Sequence, residues 1–400
     1  MCMLCCCGVG SNISLSARTQ YSIGLVLACI LALLLKENGT RWFPLAVTPE
    51  CGMACWNNLA VYRISFGLVI YHGFLMILLI GTNSPSDPRI NIQNGLLPIK
   101  LLVFAGVIVG PFFMSNSLFY QYWIACLIFS ALFIILQSII LVDMARTISE
   151  ACIQSYNQTQ SIFSKVMLIT ITFTSTASFI GITVVLYKYY GKCTENNVFI
   201  SVNLILNLTL MCVSIVPRVL KHNSKGGLLP SSVLAVYNTF LTAVAVVSNP
   251  SDCQTDAVWA AMTTQSSSTT PVKSAGDTAI QIAGIIFLIL NIAYLAFSTS
   301  TMDLTGIESE RVIDNSETTS GPKYNYSVLH LVFILTSFYM ASVFTNWTQF
   351  STSNISGVDL STVNKGVGPM WVSVATGWIN WLLYIWSLIA PLVLPDRDFS

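Results

Sequence analysis

The stretch FYQYWIACLIFSALFIILQSIILVDMARTI, residues 119–148, runs from Phe119 to Val142 without one charged side chain. At about 1.5 Å per residue a helix of that length reaches about 45 Å, whereas the hydrocarbon core of a bilayer is about 30 Å thick. A segment this apolar belongs in lipid, and being longer than the core it must lean or emerge. Nine further apolar stretches lie around it, at 20–35, 59–80, 98–114, 162–187, 198–220, 229–248, 278–298, 326–347 and 370–394. The expectation is an all-α, polytopic membrane protein of about ten transmembrane helices with a long, tilted fourth helix.

Composition agrees. Of 400 residues, 54% are apolar and 9% charged, and the net charge is +1; an ordinary soluble domain carries about 25% charged residues. That balance excludes a water-soluble globule, and the absence of basic runs excludes a nucleic-acid partner. The first stretch lacks a strong positive flank and a small-residue cleavage site, so it reads as a retained helix. The membrane domain is expected over 20–394, between a Cys-rich tail at 1–19 and a short tail at 395–400.

Sidedness follows from the positive charges between spans. Arg18, Arg89, Lys100, Arg146, Lys165, Arg218, Lys221, Lys225, Arg311, Lys323 and Arg397 fall on one side; Lys36, Arg41, Lys188, Lys192, Lys273 and Lys365 fall on the other. The bias places both termini in the cytosol, in the plasma membrane or the endomembrane system. An acidic cytosolic loop is expected at 299–325, as a solvated tether or a docking segment, with luminal loops at 249–277 and 348–369.

The cysteines sort by compartment. Cys2, Cys5, Cys6 and Cys7 crowd the cytosolic tail beside the first helix, where thiols are candidates for acylation; a metal cluster is the weaker alternative, because the usual ligand spacing is missing. Cys51, Cys55, Cys193 and Cys253 fall in luminal connections and are disulfide candidates with three possible pairings. Cys29, Cys126 and Cys212 are expected to be packing residues. Of the glycosylation sequons, Asn38, Asn346 and Asn354 fall on the luminal side, with Asn354 the best acceptor.

No motif of nucleotide binding, serine hydrolysis or zinc catalysis occurs, and His72, His222 and His330 lie far apart in sequence. An enzyme is therefore not expected, nor any metal or other cofactor. His72 reads as a neutral packing residue, and Asp143 with Arg146 as a local ion pair.

A path for lipid headgroups needs polar side chains along helix faces, because a zwitterion in bare hydrocarbon loses most of its hydration. Three stripes have helical spacing: Thr170, Thr174 and Ser178 in the fifth stretch; Asn203, Asn207 and Ser214 in the sixth; Gln281, Asn291 and Ser298 in the eighth. Together they could line a half-polar groove. The plainer account is bonding between helices, worth about 0.6 kcal/mol per contact. Arg63, inside the second stretch, is a further lipid-path candidate: it can snorkel to phosphate at the luminal edge, or take an interior partner or a headgroup contact. Gly106 and Gly110, at small-xxx-small spacing, suggest close helix packing, and Pro111 should interrupt that helix.

Several segments resemble the Serinc (serine incorporator, or TMS/TDE) family over essentially the whole length. They are the Cys-rich start, Val61-Tyr-Arg-Ile-Ser-Phe66, Asp87-Pro-Arg-Ile-Asn-Ile-Gln-Asn-Gly95, Tyr324-Asn-Tyr-Ser327 leading to Thr345-Asn-Trp347, and the closing Ala390-Pro-Leu-Val-Leu with Arg397-Asp-Phe-Ser400. The resemblance implies ten helices in two bundles with an inclined fourth helix. It also implies phospholipid movement between leaflets without nucleotide and support for serine incorporation into phosphatidylserine and sphingolipids. Membrane phospholipids, serine, lipid-synthesis enzymes and a second copy of the chain are the implied partners. The other readings are a solute carrier for serine or another small polar molecule, and a scaffold for lipid-synthesis enzymes.

Overall fold

The structure, a computed structural model, describes residues 12–43, 53–82, 87–95, 97–222, 227–249, 275–297, 326–355, 358–364 and 366–393. Its helices in order are α1 (Asn12–Trp42), α2 (Met53–Leu78), α3 (Arg89–Asn94), α4 (Leu97–Val109), α5 (Asn116–Thr159), α6 (Ile162–Tyr190), α7 (Thr194–Ser214), α8 (Pro217–His222), α9 (Leu228–Ser248), α10 (Ala275–Phe297), α11 (Tyr326–Phe344) and α12 (Val367–Val393). Among the described residues nine helices are long and apolar enough to cross a membrane, and Pro98–Phe113 is a shorter apolar helix. These are the ten stretches read from the sequence, and the protein is a multi-pass integral membrane protein.

Backbone chemistry accounts for the shape. Lipid offers nothing to an unpaired N–H or C=O, so each crossing segment closes its own ladder. Side-chain hydroxyls join in: Thr172, Thr183, Thr239, Thr336 and Ser373 each donate to the carbonyl four residues back, at 2.7–2.9 Å. Apolar side chains then face outward freely, with Phe173 at 73% and Leu102 at 76% exposure. In water such a surface would aggregate; in lipid it is the solvated face.

The α5 helix is 44 residues long, about 66 Å at about 1.5 Å per residue. That is more than twice the hydrocarbon thickness and longer than the fourth stretch read from the sequence. The third stretch breaks where Pro111 stands: α4 ends at Val109 and Gly110–Phe113 continues as a 3₁₀ turn. Proline has no N–H to give the α-ladder, so the change of helix type follows.

Two compact units make up the chain. One holds residues 1–130, 286–345 and 350–363; the other holds 131–285, 346–349 and 364–400. In the first unit α11 is central, with 14 of its 19 residues buried, and α2 packs along it. Ser65 Oγ donates to the Ser337 carbonyl at 2.8 Å, and the Ser130 and Ser342 hydroxyls meet at 2.9 Å. The Phe129 and Phe338 rings stack with centroids 4.7 Å apart. In the second unit α9 is central, with 17 of 21 residues buried among α6, α7 and α12, whereas α6 buries only five of 29. A helix apolar all round is a core helix, and one that buries a single stripe is peripheral.

Several expectations need correction. The tail placed at 1–19 overlaps α1, which begins at Asn12. The luminal loop placed at 348–369 contains a two-stranded sheet, β1 (Gln349–Ile355) paired with β2 (Val358–Asn364). Gly106 and Gly110 are exposed, and among the described residues nothing lies within 4 Å of where a Cβ would stand, so no described helix packs on them. The close approach runs through Gly67 of α2, where a Cβ would fall 2.5 Å from the Val107 carbonyl oxygen of α4. Cys29 and Cys126 are buried as expected, but Cys212 is exposed because its position on α7 faces outward. Cys55 and Cys193 take part in disulfides.

Candidate functional site

The α7 helix brings Asn203 and Asn207 one turn apart onto its buried face. Asn207 Nδ2 donates to the Asn203 backbone carbonyl at 2.9 Å and to Asn203 Oδ1 at 2.7 Å. Asn203 Nδ2 in turn donates to Thr239 Oγ1 of α9 at 3.0 Å. From the other end, Asn238 Nδ2 of α9 donates to Asn207 Oδ1 at 3.1 Å. Asn380 Nδ2 of α12 reaches Asn238 Oδ1 at 3.5 Å, and Ser138 of α5 donates to Asn380 Oδ1 at 2.9 Å. Four helices thus contribute to one chain of amides and hydroxyls, and all four asparagines are buried. Beside it, Tyr237 donates to Gln137 Oε1 at 2.9 Å.

A small recess of about 10 Å³ opens against this ladder, lined by Asn203, Asn207, Asn238, Thr242, Trp378 and Trp381 among others. Trp381 Nε1 donates to the Leu206 carbonyl at 2.7 Å. Every group here is neutral, so the recess offers paired donors and acceptors without a fixed charge.

The three stripes read from the sequence do not converge. Thr170 and Thr174 are exposed and Ser178 is half-buried, because α6 packs through the opposite face, with Phe179, Thr183, Leu186 and Tyr190. Ser214 is buried at the end of α7 and donates to the Met211 carbonyl at 2.8 Å. Gln281 and Asn291, both buried on α10, belong to different units. Ser298 lies outside the described residues. Of the stripes, only the asparagine pair of α7 enters the ladder.

Arg63 is buried. Its Nη2 donates to Asn116 Oδ1 at 2.6 Å and to the Met114 carbonyl at 3.4 Å, and its guanidinium lies 5.3 Å from the Phe119 ring centroid. Those partners follow the 3₁₀ turn, and they are the interior partner of the second alternative. Arg146 reaches Ser387 Oγ of α12 at 3.5 Å and lies over the Tyr384 ring. His72 is buried and hydrogen-bonded, its Nδ1 lying 3.1 Å from Nδ1 of His330.

Asn38 lies in the last turns of α1, its Nδ2 donating to the Leu34 carbonyl at 3.4 Å. Asn346 sits in the turn after α11 with φ of 53°, and Asn354 lies in β1. Cys2, Cys5, Cys6, Cys7, Cys51 and Cys253 lie outside the described residues. Among the described residues, no three His, Cys, Asp or Glu side chains group to hold a metal ion.

Asn238, Asn380 and Ser138 complete the ladder without belonging to any of the stripes, and spacing along the sequence misses them. Their signal is present only in a weak form: a single asparagine deep in an otherwise apolar helix marks a buried partner.

Comparison with known proteins places this architecture. The Serinc (serine incorporator) family matches over residues 1–313 and 305–397. A "Probable serine incorporator" of Monosiga brevicollis is 30% identical, over 100% of this chain and 94% of that protein. "Serine incorporator 3" of Bos taurus is 27% identical over 100% and 95%, and "Membrane protein TMS1" of Saccharomyces cerevisiae is 27% identical over 97% and 91%. A helical membrane fold and a match along nearly the entire length lead to one conclusion: this chain belongs to the Serinc family.

Proposed function

We propose that this protein eases the movement of phospholipids between leaflets and thereby supports incorporation of serine into membrane lipids, acting neither as an enzyme nor as a nucleotide-driven pump. The observation that carries the reading is the neutral ladder Asn203–Asn207–Asn238–Asn380 beside a recess lined by Trp378 and Trp381. A headgroup leaving water must find hydrogen-bonding partners along its route, and uncharged amides supply them without trapping it. The names of the relatives are consistent with a role in serine incorporation.

The test is reconstitution of the purified protein in vesicles carrying fluorescent phospholipid on one leaflet and labelled serine outside. Wild-type protein is expected to exchange the lipid without nucleotide, and Asn203→Leu with Asn207→Leu to slow exchange about tenfold, a factor equivalent to about 1.4 kcal/mol. Unchanged exchange by a folded double variant removes α7 from the route. Saturable serine uptake without lipid exchange would replace this reading with a solute carrier.

A further inference from the structure

The first unit holds a second polar cluster, built from side chains remote in sequence. Lys100 of α4 is buried at 8% exposure, and its Nζ donates to the Gln93 backbone carbonyl at 2.6 Å. The Tyr21 ring lies beside it, 5.1 Å from Nζ to centroid. An ammonium has three N–H donors, and among the described residues no carboxylate pairs with this one. Leaving such a charge in low dielectric is costly unless an anion arrives to pair with it.

Around it the hydrogen bonds converge on Gln93. Tyr21 OH donates to Gln93 Oε1 at 3.2 Å, and the same oxygen lies 3.1 Å from His330 Nε2. An amide oxygen only accepts, so His330 carries its proton on Nε2 and presents a lone pair at Nδ1. His72 Nδ1, 3.1 Å away, therefore donates, and the neutral His72 ring is left with a bare lone pair on Nε2. That nitrogen is buried and has no partner among the described residues, in a side chain only 1% exposed.

The side chains of Lys100 and His72 line one small recess of about 40 Å³, together with Gln20, Tyr21, Tyr71 and Leu101. Leu101 is 58% exposed on the lipid-facing side, so the recess opens beside an apolar surface. The site thus combines a cation seeking an anion, an acceptor seeking an N–H donor, and an apolar wall.

We infer that this recess between α1, α2 and α4 binds the headgroup of an aminophospholipid, with the phosphate on Lys100 Nζ, the primary ammonium donating to His72 Nε2, and the chains lying along Leu101. The inference goes beyond leaflet exchange and does not require it: it concerns binding in the first unit, whereas exchange is assigned to the ladder of the second.

The test is a binding titration on the full chain in detergent, using dioctanoyl phosphatidylethanolamine, dioctanoyl phosphatidylcholine, inorganic phosphate and free serine. Phosphatidylethanolamine is expected to bind about tenfold more tightly than phosphatidylcholine, whose trimethylated nitrogen has no proton to give. Lys100→Gln, which can still donate to the Gln93 carbonyl, should weaken both lipids about tenfold or more while leaving the thermal midpoint near that of wild type. Equal binding of the two lipids by wild-type protein overturns the inference, as does undiminished binding by Lys100→Gln. Inorganic phosphate or serine binding as tightly as the lipid would assign the site to a free anion and overturn the lipid source. If Lys100→Gln does not fold, the comparison of the two lipids on the unmodified protein decides alone.

Discussion

In the unit centred on α11 one buried polar cluster joins two imidazoles, a lysine, a glutamine and a tyrosine, its bonds converging on Gln93 and leaving one ring nitrogen with no partner among the described residues. In the unit centred on α9 the corresponding cluster joins four asparagines with a serine and a threonine, all neutral and each amide bonded to the next. We propose that the contrast separates two tasks: a fixed cation beside an unpaired acceptor would hold one kind of headgroup, whereas a neutral ladder would trade partners with a passing one. Both clusters sit in lipid-facing bundles of similar helical construction, so chemistry rather than fold distinguishes them.

Removing the central imidazole of the first cluster should have the largest effect. His330→Leu deprives both Gln93 and His72 of a partner, and we expect a loss of about 3 kcal/mol, read as a lowered thermal midpoint in detergent. In the second cluster Asn207→Leu should cost about 2 kcal/mol, because Asn238 Nδ2 is left without its acceptor. Adding Asn238→Leu should cost less than the sum of the single changes, since neighbours in one network couple. Additivity would show that the ladder is a set of separate contacts.

Arg63 sharpens the comparison within the first unit, because this cation already has its side-chain partner. Arg63→Met should cost about 1–2 kcal/mol of stability through loss of the bond to Asn116 and leave phosphatidylethanolamine binding intact. A fall in lipid binding with stability preserved would make Arg63 part of the headgroup site after all.

The smallest effect lies outside the spans. Arg89 donates to the Leu78 and Ile80 carbonyls at the end of α2, and its Nη2 pairs with Asp87 Oδ2 at 2.8 Å. The hydrogen bond from Arg89 holds the Asp87 carboxyl below its usual value of 3.8. A carboxylate depressed in the folded state adds stability above its ordinary pKa, and this is lost as pH falls through the depressed value. Wild-type protein should therefore lose stability slightly more than Asp87→Asn on titration below pH 3.8, measured as the difference between their acid limbs. Parallel limbs would show that solvent screens the pair completely.

The spans were legible because lipid demands an internally bonded helix, and an apolar run such as residues 119–148 has no other solution. Pro111 likewise announced its own break. The asparagine pair of α7 was legible by its four-residue spacing, but Asn380 is 142 positions from Asn238 and nothing local links them. The imidazole pair was invisible for the same reason, with 258 positions between its rings. Thr170 and Thr174 misled because helical spacing identifies a face without saying whether that face turns to protein or to lipid. The sheet at 349–364 was hard to read because the segment is rich in Ser and Asn, with period-two spacing of strand-forming residues only at Val358, Leu360 and Thr362.

Gly67 carries a consequence for the lysine two helices away along the chain. The α4 helix has 13 residues, about 20 Å of rod at about 1.5 Å per residue, and it is too stubby to anchor itself across the bilayer. Its seat is the bare backbone of α2, where the absence of a methyl lets one main chain lie on another. A substitution as slight as Gly67→Ala would wedge that joint open and carry Lys100 out of register with the imidazoles. The chemistry of the recess thus depends on an atom that is missing.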